Sequence, residues 1–164
     1  MNGEPCDYAE FGESFIYRTV TPERVVDAVR RIAGDVVELG PIKAGPGGRA
    51  TVLATGRIGV PEADEEGADP LTYSVRLPVD VSLQVKVGAV HHYDASGQID
   101  LRLAVVTARP LAVVIEVEPV RPEHVSFRID AKGMPAKLLG RAGDVDGELR
   151  RHTAEYVNSQ ISAP

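Results

Sequence analysis

The side chains best suited to chemistry lie together in the segment His91-His92-Tyr93-Asp94. A histidine titrates near neutral pH and can act as a general acid or base. Strand alternation predicts that His91 and Tyr93 face the inner side of a sheet and His92 the outer side, unless Gly88 makes a bulge. Two histidines on opposite faces make a poor metal pair, so we predict no metal site. Surface histidines beside a turn are the alternative interpretation.

Other segments with reactive residue types lack the spacing of known sites. The sequence has no HExxH, GxSxG or Walker phosphate-binding motif. The glycine-rich segment 45–48 predicts a hairpin loop, and the acidic segment 62–69, which lacks the spacing of a calcium loop, predicts a solvated loop. Cys6 is the single cysteine, which excludes an internal disulfide and predicts an inert thiol. We therefore predict no cofactor. The catalytic residues stay unknown, with His91, Tyr93 and His152 as candidates.

Composition limits the class of protein. The chain has 164 residues, 43% apolar and 26% charged, which predicts a folded chain of one domain. Its net charge of −6 argues against a nucleic-acid or anionic-membrane surface. Its apolar runs are too short for a transmembrane segment, and its first residues do not resemble a signal peptide, so we expect a cytoplasmic protein. Residues 1–13 are predicted to be a polar arm and 14–164 a single domain.

Periodic patterns predict helices near both ends of a run of strands. Thr21, Pro22 and Glu23 suit the start of a helix over 22–33, and Asp144 suits the cap of a helix that runs to about Ile161. Strand formers fill 14–20. Further strands are predicted at 36–43, 49–60, 72–87, 98–106, 111–118 and 124–131. Alternation is unbroken over 72–87, which predicts the longest strand, with a bend or a sheet edge near Pro78.

Short connections between these strands predict an antiparallel sheet with one apolar face. The outer face is expected to carry a cross-strand lattice of charges. Its members are Asp100, Arg102, Glu116, Glu118, Arg128 and Asp130. The predicted fold is α+β: a single highly curved antiparallel sheet of six or seven strands, wrapped around a long C-terminal helix, with a short N-terminal helix.

A cavity between this sheet and the C-terminal helix is the predicted ligand site. Aromatic residues make up 5% of the chain and tryptophan is absent, so little bulk fills the interior. A completely packed core is the alternative. The C-terminal helix places Thr153 and Gln160 in the middle of its apolar stripe and His152 at the border. The predicted ligand-binding residues are Tyr17, Tyr73, Thr153, Tyr156 and Gln160.

The order of elements resembles the helix-grip fold of the START and polyketide-cyclase superfamily. The resemblance rests on the opening segment 15–26, the glycine-rich hairpin 44–49 and the helix over 148–161. The chain departs from that pattern because one helix follows the first strand where two are usual, and because it lacks tryptophan. It also resembles the tubular lipid-binding (TULIP) proteins. Both resemblances imply a bulky apolar ligand and supply no catalytic residue.

Two functions are consistent with such a cavity. One is binding of a bulky apolar small molecule of the polyketide, isoprenoid or lipid type. The other is a cofactor-independent cyclase or cycloaddition enzyme of natural-product biosynthesis, which would work mainly by holding a flexible polyketide in a reactive shape. A carrier needs few polar groups in its cavity, whereas a cyclase needs several that converge. A third candidate is a module that docks a partner on its outer sheet face. Whether the chain forms a homo-oligomer stays open.

Overall fold

The computed structural model describes residues 5–33, 36–44, 46–130 and 142–162. Its α-helices are α1 (Tyr8–Thr19), α2 (Pro22–Ala33) and α3 (Ala142–Ile161). Seven strands form one antiparallel sheet. They are β1 (Val36–Ala44), β2 (Ala50–Ile58), β3 (Glu62–Ala68), β4 (Leu71–Val87), β5 (Ala89–Ala108), β6 (Ala112–Val117) and β7 (Val125–Ile129). The predicted α+β class and single antiparallel sheet are confirmed.

A long hairpin of β4 and β5 forms the middle of the sheet. The strand order is β1-β2-β4-β5-β6, with β3 paired to β4 and β7 paired to β5. Strands β2 and β3 follow one another along the same side of β4, and β6 and β7 do the same along β5. The hairpin is therefore flanked on each side by an interrupted strand, and the sheet does not close.

Pro78 lies at the interruption between β2 and β3. Strand β2 pairs with Val79–Lys86 and β3 with Leu71–Arg76. Between them the Pro78 carbonyl accepts a hydrogen bond from the Gly59 amide at 2.8 Å. The backbone nitrogen and carbonyl of a strand residue point to the same side of the strand. The amide hydrogen that proline lacks would therefore point into the gap between β2 and β3. Pro78 therefore lies in the middle of the sheet at a gap between two strands, and not at the sheet edge that was one of the two predicted alternatives.

The longest strand is β5, with 20 residues against 17 in β4, so the prediction for 72–87 is wrong on this point. The first half of β5 has the composition of a turn, with Asp94, Ser96 and Gly97. Gly97 nevertheless belongs in the strand, because a Cβ there would collide with the ring of Phe127 on β7. The turn itself is at Gly88, whose φ of +74° suits glycine.

The N-terminal segment differs from the prediction. Residues 14–20 were expected to be a strand, but α1 spans Tyr8–Thr19. The Asp7 side chain caps α1 by accepting a hydrogen bond from the Glu10 amide at 2.9 Å. Helix α1 runs through the predicted boundary between residues 13 and 14, while the division into an arm and one domain stays a prediction.

The two later helices were predicted with good boundaries. Helix α2 has the predicted bounds, 22–33. Helix α3 ends at Ile161 as expected, but it begins at Ala142, so Asp144 lies inside its first turn and is not its cap.

The predicted inner and outer faces of the sheet are correct. Leu83 and Leu101 are buried, while Arg102 and Glu116 on the other face are exposed. Ile115 is only half-buried because β6 lies at the sheet edge. Valines of α2 and Leu149 of α3 complete the core that covers the inner face.

Candidate functional site

A narrow cavity lies between α3 and the inner face of the sheet. Helix α3 contacts the sheet mainly through β1 and β7, and it also contacts α2 and the 3-10 turn at Pro122–His124. The central strands β4 and β5 lie between β1 and β7, and the cavity is between α3 and these central strands. Its volume is about 50 Å³. A water molecule needs roughly 10–15 Å³ by this kind of measure, so the space holds a few waters at most.

The sheet side of the cavity is almost entirely aliphatic. Strand alternation brings valine, leucine and isoleucine side chains from all the long strands to this face. The lining from the sheet and α2 is Val29, Val37, Leu39, Gly56, Ile58, Leu77, Val79, Val81, Ile99, Leu101, Leu103, Val117 and Phe127. Such a surface favours an apolar ligand.

Thr153 supplies a polar atom on the helix side. The residue is 4% exposed, and its Oγ1 atom has no hydrogen-bond partner in the described part of the chain. A buried hydroxyl without a partner costs about 1–3 kcal/mol in mutational data. Thr153 therefore lines the helix side of the cavity, and its unused hydroxyl is covered by neighbouring atoms.

Tyr156 and Gln160 line the same cavity further along α3. Tyr156 is half-buried and Gln160 is exposed. Thr153, Tyr156 and Gln160 all line the cavity, and their role in ligand binding stays a prediction. Gln160, however, reaches solvent at the rim, so its amide does not require a partner inside the protein.

The two other predicted ligand-binding tyrosines lie elsewhere. Tyr73 is buried, and its hydroxyl donates to the Val20 carbonyl at 2.6 Å. Burial is the main cause of its raised pKa, and the Glu65 carboxylate adds to the effect. Tyr17 is 51% exposed, and its hydroxyl donates to Glu65 Oε1 at 3.1 Å, which raises its pKa. Neither lines the cavity beside Thr153.

The three candidate catalytic residues are also outside this cavity. The register continues past Gly88, so His91 and Tyr93 face inward and His92 outward, as alternation predicts. The rings of His91 and Tyr93 stack with centroids 6.3 Å apart. The buried Tyr93 hydroxyl has no partner in the described ranges.

His152 belongs to a surface ion-pair group on α3. Its Nε2 atom lies 3.7 Å from Glu148 Oε2, and its Nδ1 atom lies 3.4 Å from Glu155 Oε2. The ring is therefore held between two carboxylates of its own helix and is directed away from the cavity lining.

Asn158, which the sequence analysis did not single out, anchors α3 beside the cavity without lining it. Its Nδ2 donates to the Val120 carbonyl and its Oδ1 accepts from the Val120 amide, both at 2.8 Å. This double hydrogen bond fastens the C-terminal half of α3 to the segment between β6 and β7. An asparagine on a helix next to an apolar stripe was the available signal, but its partner is 38 residues away.

The acidic segment forms an edge strand and not the solvated loop that was predicted. Strand β3 pairs with β4, which gives its carboxylates basic neighbours across the sheet. Arg76 lies 2.5 Å from Asp64 and 3.9 Å from Glu62, and Arg102 lies 3.7 Å from Glu66. Within the described ranges, no three His, Cys, Asp or Glu residues are grouped as metal ligands.

The outer face carries a second concavity of a different kind. It is an open polar groove of about 800 Å³, with Arg57, Asp80 and Arg128 along it. Ser82 Oγ donates to Asp94 Oδ1 there at 3.3 Å. Opposite charges alternate across this groove and are solvated, so the inner cavity with its unpartnered Thr153 hydroxyl is the better candidate site.

Comparison with known proteins adds no family assignment. No protein-family model matches the sequence, and no curated protein matches it. The curved antiparallel sheet with its helices is compatible with a helix-grip-like α+β fold. None of the helices in the described ranges has the length and hydropathy of a membrane span.

Proposed function

We propose that this protein binds a bulky apolar small molecule, of the polyketide, isoprenoid or lipid type, between α3 and the inner face of the sheet. The observation that carries the proposal is the Thr153 hydroxyl, which is buried against an aliphatic surface without a hydrogen-bond partner. A ligand carbonyl or hydroxyl group would give this atom its missing partner. The remaining contacts would be apolar.

The distribution of polar groups defines the ligand further. The sheet and α2 offer apolar side chains, while Thr153, Tyr156 and Gln160 all come from α3. Because Gln160 is exposed, the C-terminal end of α3 is at the mouth of the cavity. We expect an apolar body against the sheet and one polar group toward α3.

The size of the cavity requires α3 to move when a bulky ligand binds. Pockets for drug-sized molecules span roughly 300–1,000 Å³, well above the 50 Å³ between α3 and the sheet. The closest backbone approaches of α3 to the sheet are at β1 and β7, on either side of the central strands. A shift of α3 away from β4 and β5 would enlarge the space without breaking the sheet.

The cyclase alternative has less support. A cyclase needs several polar groups that converge on the substrate, and His91, Tyr93 and His152 do not line this cavity. Tyr156 and Gln160 remain as polar groups that a templating enzyme would use. Turnover of a linear polyketide by the purified protein would favour the enzyme over the carrier.

A threonine-to-valine exchange tests the proposal. Thr153→Val keeps the side-chain shape and removes the hydroxyl, so the free energy of unfolding should rise by about 1 kcal/mol because an unpartnered group has left the interior. Affinity for farnesol, an isoprenoid alcohol, should fall by about 2- to 10-fold, the value of one hydrogen bond. Displacement of the fluorescent probe anilinonaphthalene sulfonate measures this affinity.

Thr55→Val is the matched control, because Thr55 is an exposed residue on β2 that does not line the cavity. It should change neither stability nor farnesol affinity. Equal farnesol affinity in wild type and Thr153→Val would contradict the proposal, as would a loss of stability on removal of the hydroxyl.

A further inference from the structure

One edge of the sheet is apolar and unpaired. Strand β6 pairs with β5 on one side and has no strand on the other within the described residues. Val113 and Val114 are 44% and 41% exposed, and Leu111 just before the strand is fully exposed. Adjacent residues of a strand point to opposite faces, so β6 is apolar on both faces over this stretch.

The edges at β3 and β1 carry the features that normally prevent strands from pairing with other chains. Strand β3 carries Glu62, Asp64, Glu65 and Glu66. Strand β1 is interrupted at Gly40, where φ is +119° and the register shifts before Ile42. Between Leu111 and Ile115, β6 has no charge, proline or bulge. An edge of this kind is a template for another strand.

The free hydrogen-bonding groups of β6 can be assigned from its pairing with β5. The Glu118 amide donates to the Arg102 carbonyl at 2.9 Å, and the register from Glu118 back to Ala112 has no shift. Backbone groups alternate in direction along a strand. Val114 therefore bonds to β5, while the amide and carbonyl groups of Val113 and Ile115 point to the open edge.

We propose that this edge binds β6 of a second copy of the chain in an antiparallel pair about a twofold axis. Arg109 precedes the strand, and Glu116 and Glu118 lie at its other end. An antiparallel pair centred at Val114 joins the free groups of Val113 to those of Ile115 in the partner strand, and it brings the turn that holds Arg109 toward the acidic end of that strand. A twofold axis makes both halves of this contact identical, so one surface is complementary to itself.

A groove with both charged and apolar lining residues lies on the other side of β5 from this edge. Val105, Val106 and Thr107 pair with β6, and they also line a groove of about 630 Å³ beside Ile16 and Tyr17 of α1. Helix α1 carries two stacked phenylalanines, Phe11 and Phe15, each more than half exposed. A stable dimer buries about 1,200–2,000 Å² in total, more than one short strand pair provides. The strand pair therefore predicts a weak dimer that forms only at high protein concentration.

Sedimentation equilibrium of the full chain with edge variants tests the proposal. We expect wild type to be monomeric when dilute and to form dimers as its concentration rises toward about 100 µM. Val113→Pro removes an amide that points to the open edge, and should give a monomer with nearly unchanged thermal stability, because proline is tolerated at such positions. Val114→Lys places a charge in the middle of the contact and should raise the dimer Kd by about tenfold or more.

Leu53→Lys is the matched control. Leu53 on β2 is 44% exposed, a fraction close to the 41% of Val114, and it does not lie on this edge. It should form dimers over the same concentration range as wild type. If Val113→Pro fails to fold, Val114→Lys decides the question. A wild type that stays monomeric at about 100 µM would overturn the proposal. Dimers of unchanged affinity in the folded edge variants would overturn it too.

Discussion

Tyr73 and Thr153 each bury a hydroxyl group, and their hydrogen bonds separate their roles. The Tyr73 hydroxyl donates to the carbonyl of Val20, where α1 gives way to α2, whereas Thr153 Oγ1 has no such partner in the described ranges. Both were candidates for ligand contact because both have inward positions. Sequence periodicity indicates which face a residue is on, but not whether its polar atom is already bonded.

Tyr73→Phe should lower the free energy of unfolding by about 1–3 kcal/mol, because the Val20 carbonyl loses its buried donor. Tyr17→Phe, at an exposed position, should change it by less than about 0.5 kcal/mol. The pKa of Tyr73 is raised above 10.0 in the folded state, so its contribution is complete below pH 10 and is lost as pH rises through the folded pKa.

Denaturant titrations of both variants and wild type from pH 8 to 11 measure these effects. The alkaline loss of stability should be smaller in Tyr73→Phe than in wild type. Equal alkaline loss in these two proteins would contradict a structural role for the Tyr73 hydroxyl.

At the scale of elements, the Asn158 amide is one of the contacts that hold α3 in place. Its two hydrogen bonds to Val120 link the helix to the segment before β7. Asn158→Ala removes both bonds and leaves the partly buried Val120 groups unpaired, so the free energy of unfolding should fall by about 1–3 kcal/mol. Anilinonaphthalene sulfonate fluorescence should increase, because the mouth of the cavity opens. Thr153→Val should not increase the fluorescence of the probe, because it leaves both Asn158 hydrogen bonds intact.

Ser159→Ala is a control on the exposed side of the same helical turn. It should leave both stability and probe fluorescence close to wild type. Reduced probe fluorescence in Asn158→Ala, together with lowered stability, would show that the probe does not bind beneath α3.

The elements that could be predicted best from the sequence are those whose apolar residues recur at a regular spacing. Alternation over 72–87 and 98–106 gave the paired strands and the correct inner face, and the apolar spacing of α2 gave its bounds. Strand β3 was missed because an acidic edge strand has neither alternation nor β-branched residues. Helix α1 was missed because Phe15, Ile16 and Tyr17 are strand formers, and the Asp7 cap overrides that preference.

At the scale of the whole molecule, a sheet with one apolar face and a helix to cover it followed from patterning. The placement of Thr153, Tyr156 and Gln160 at the cavity followed from helical spacing. The size of the cavity could not be predicted in this way, because it depends on how α3 packs against strands that are distant in the sequence. The unprotected edge at β6 required the sheet order, which no local pattern contains.

The central claim is that an apolar ligand binds beneath α3, and leucine methyl NMR tests it most directly. Leu77, Leu101 and Leu103 line the cavity, whereas Leu53 and Leu111 are exposed elsewhere. Titration with farnesol should shift the methyl signals of the first three residues and leave the last two unchanged. Shifts confined to Leu53 or Leu111, or no shift at any of the five, would contradict the account.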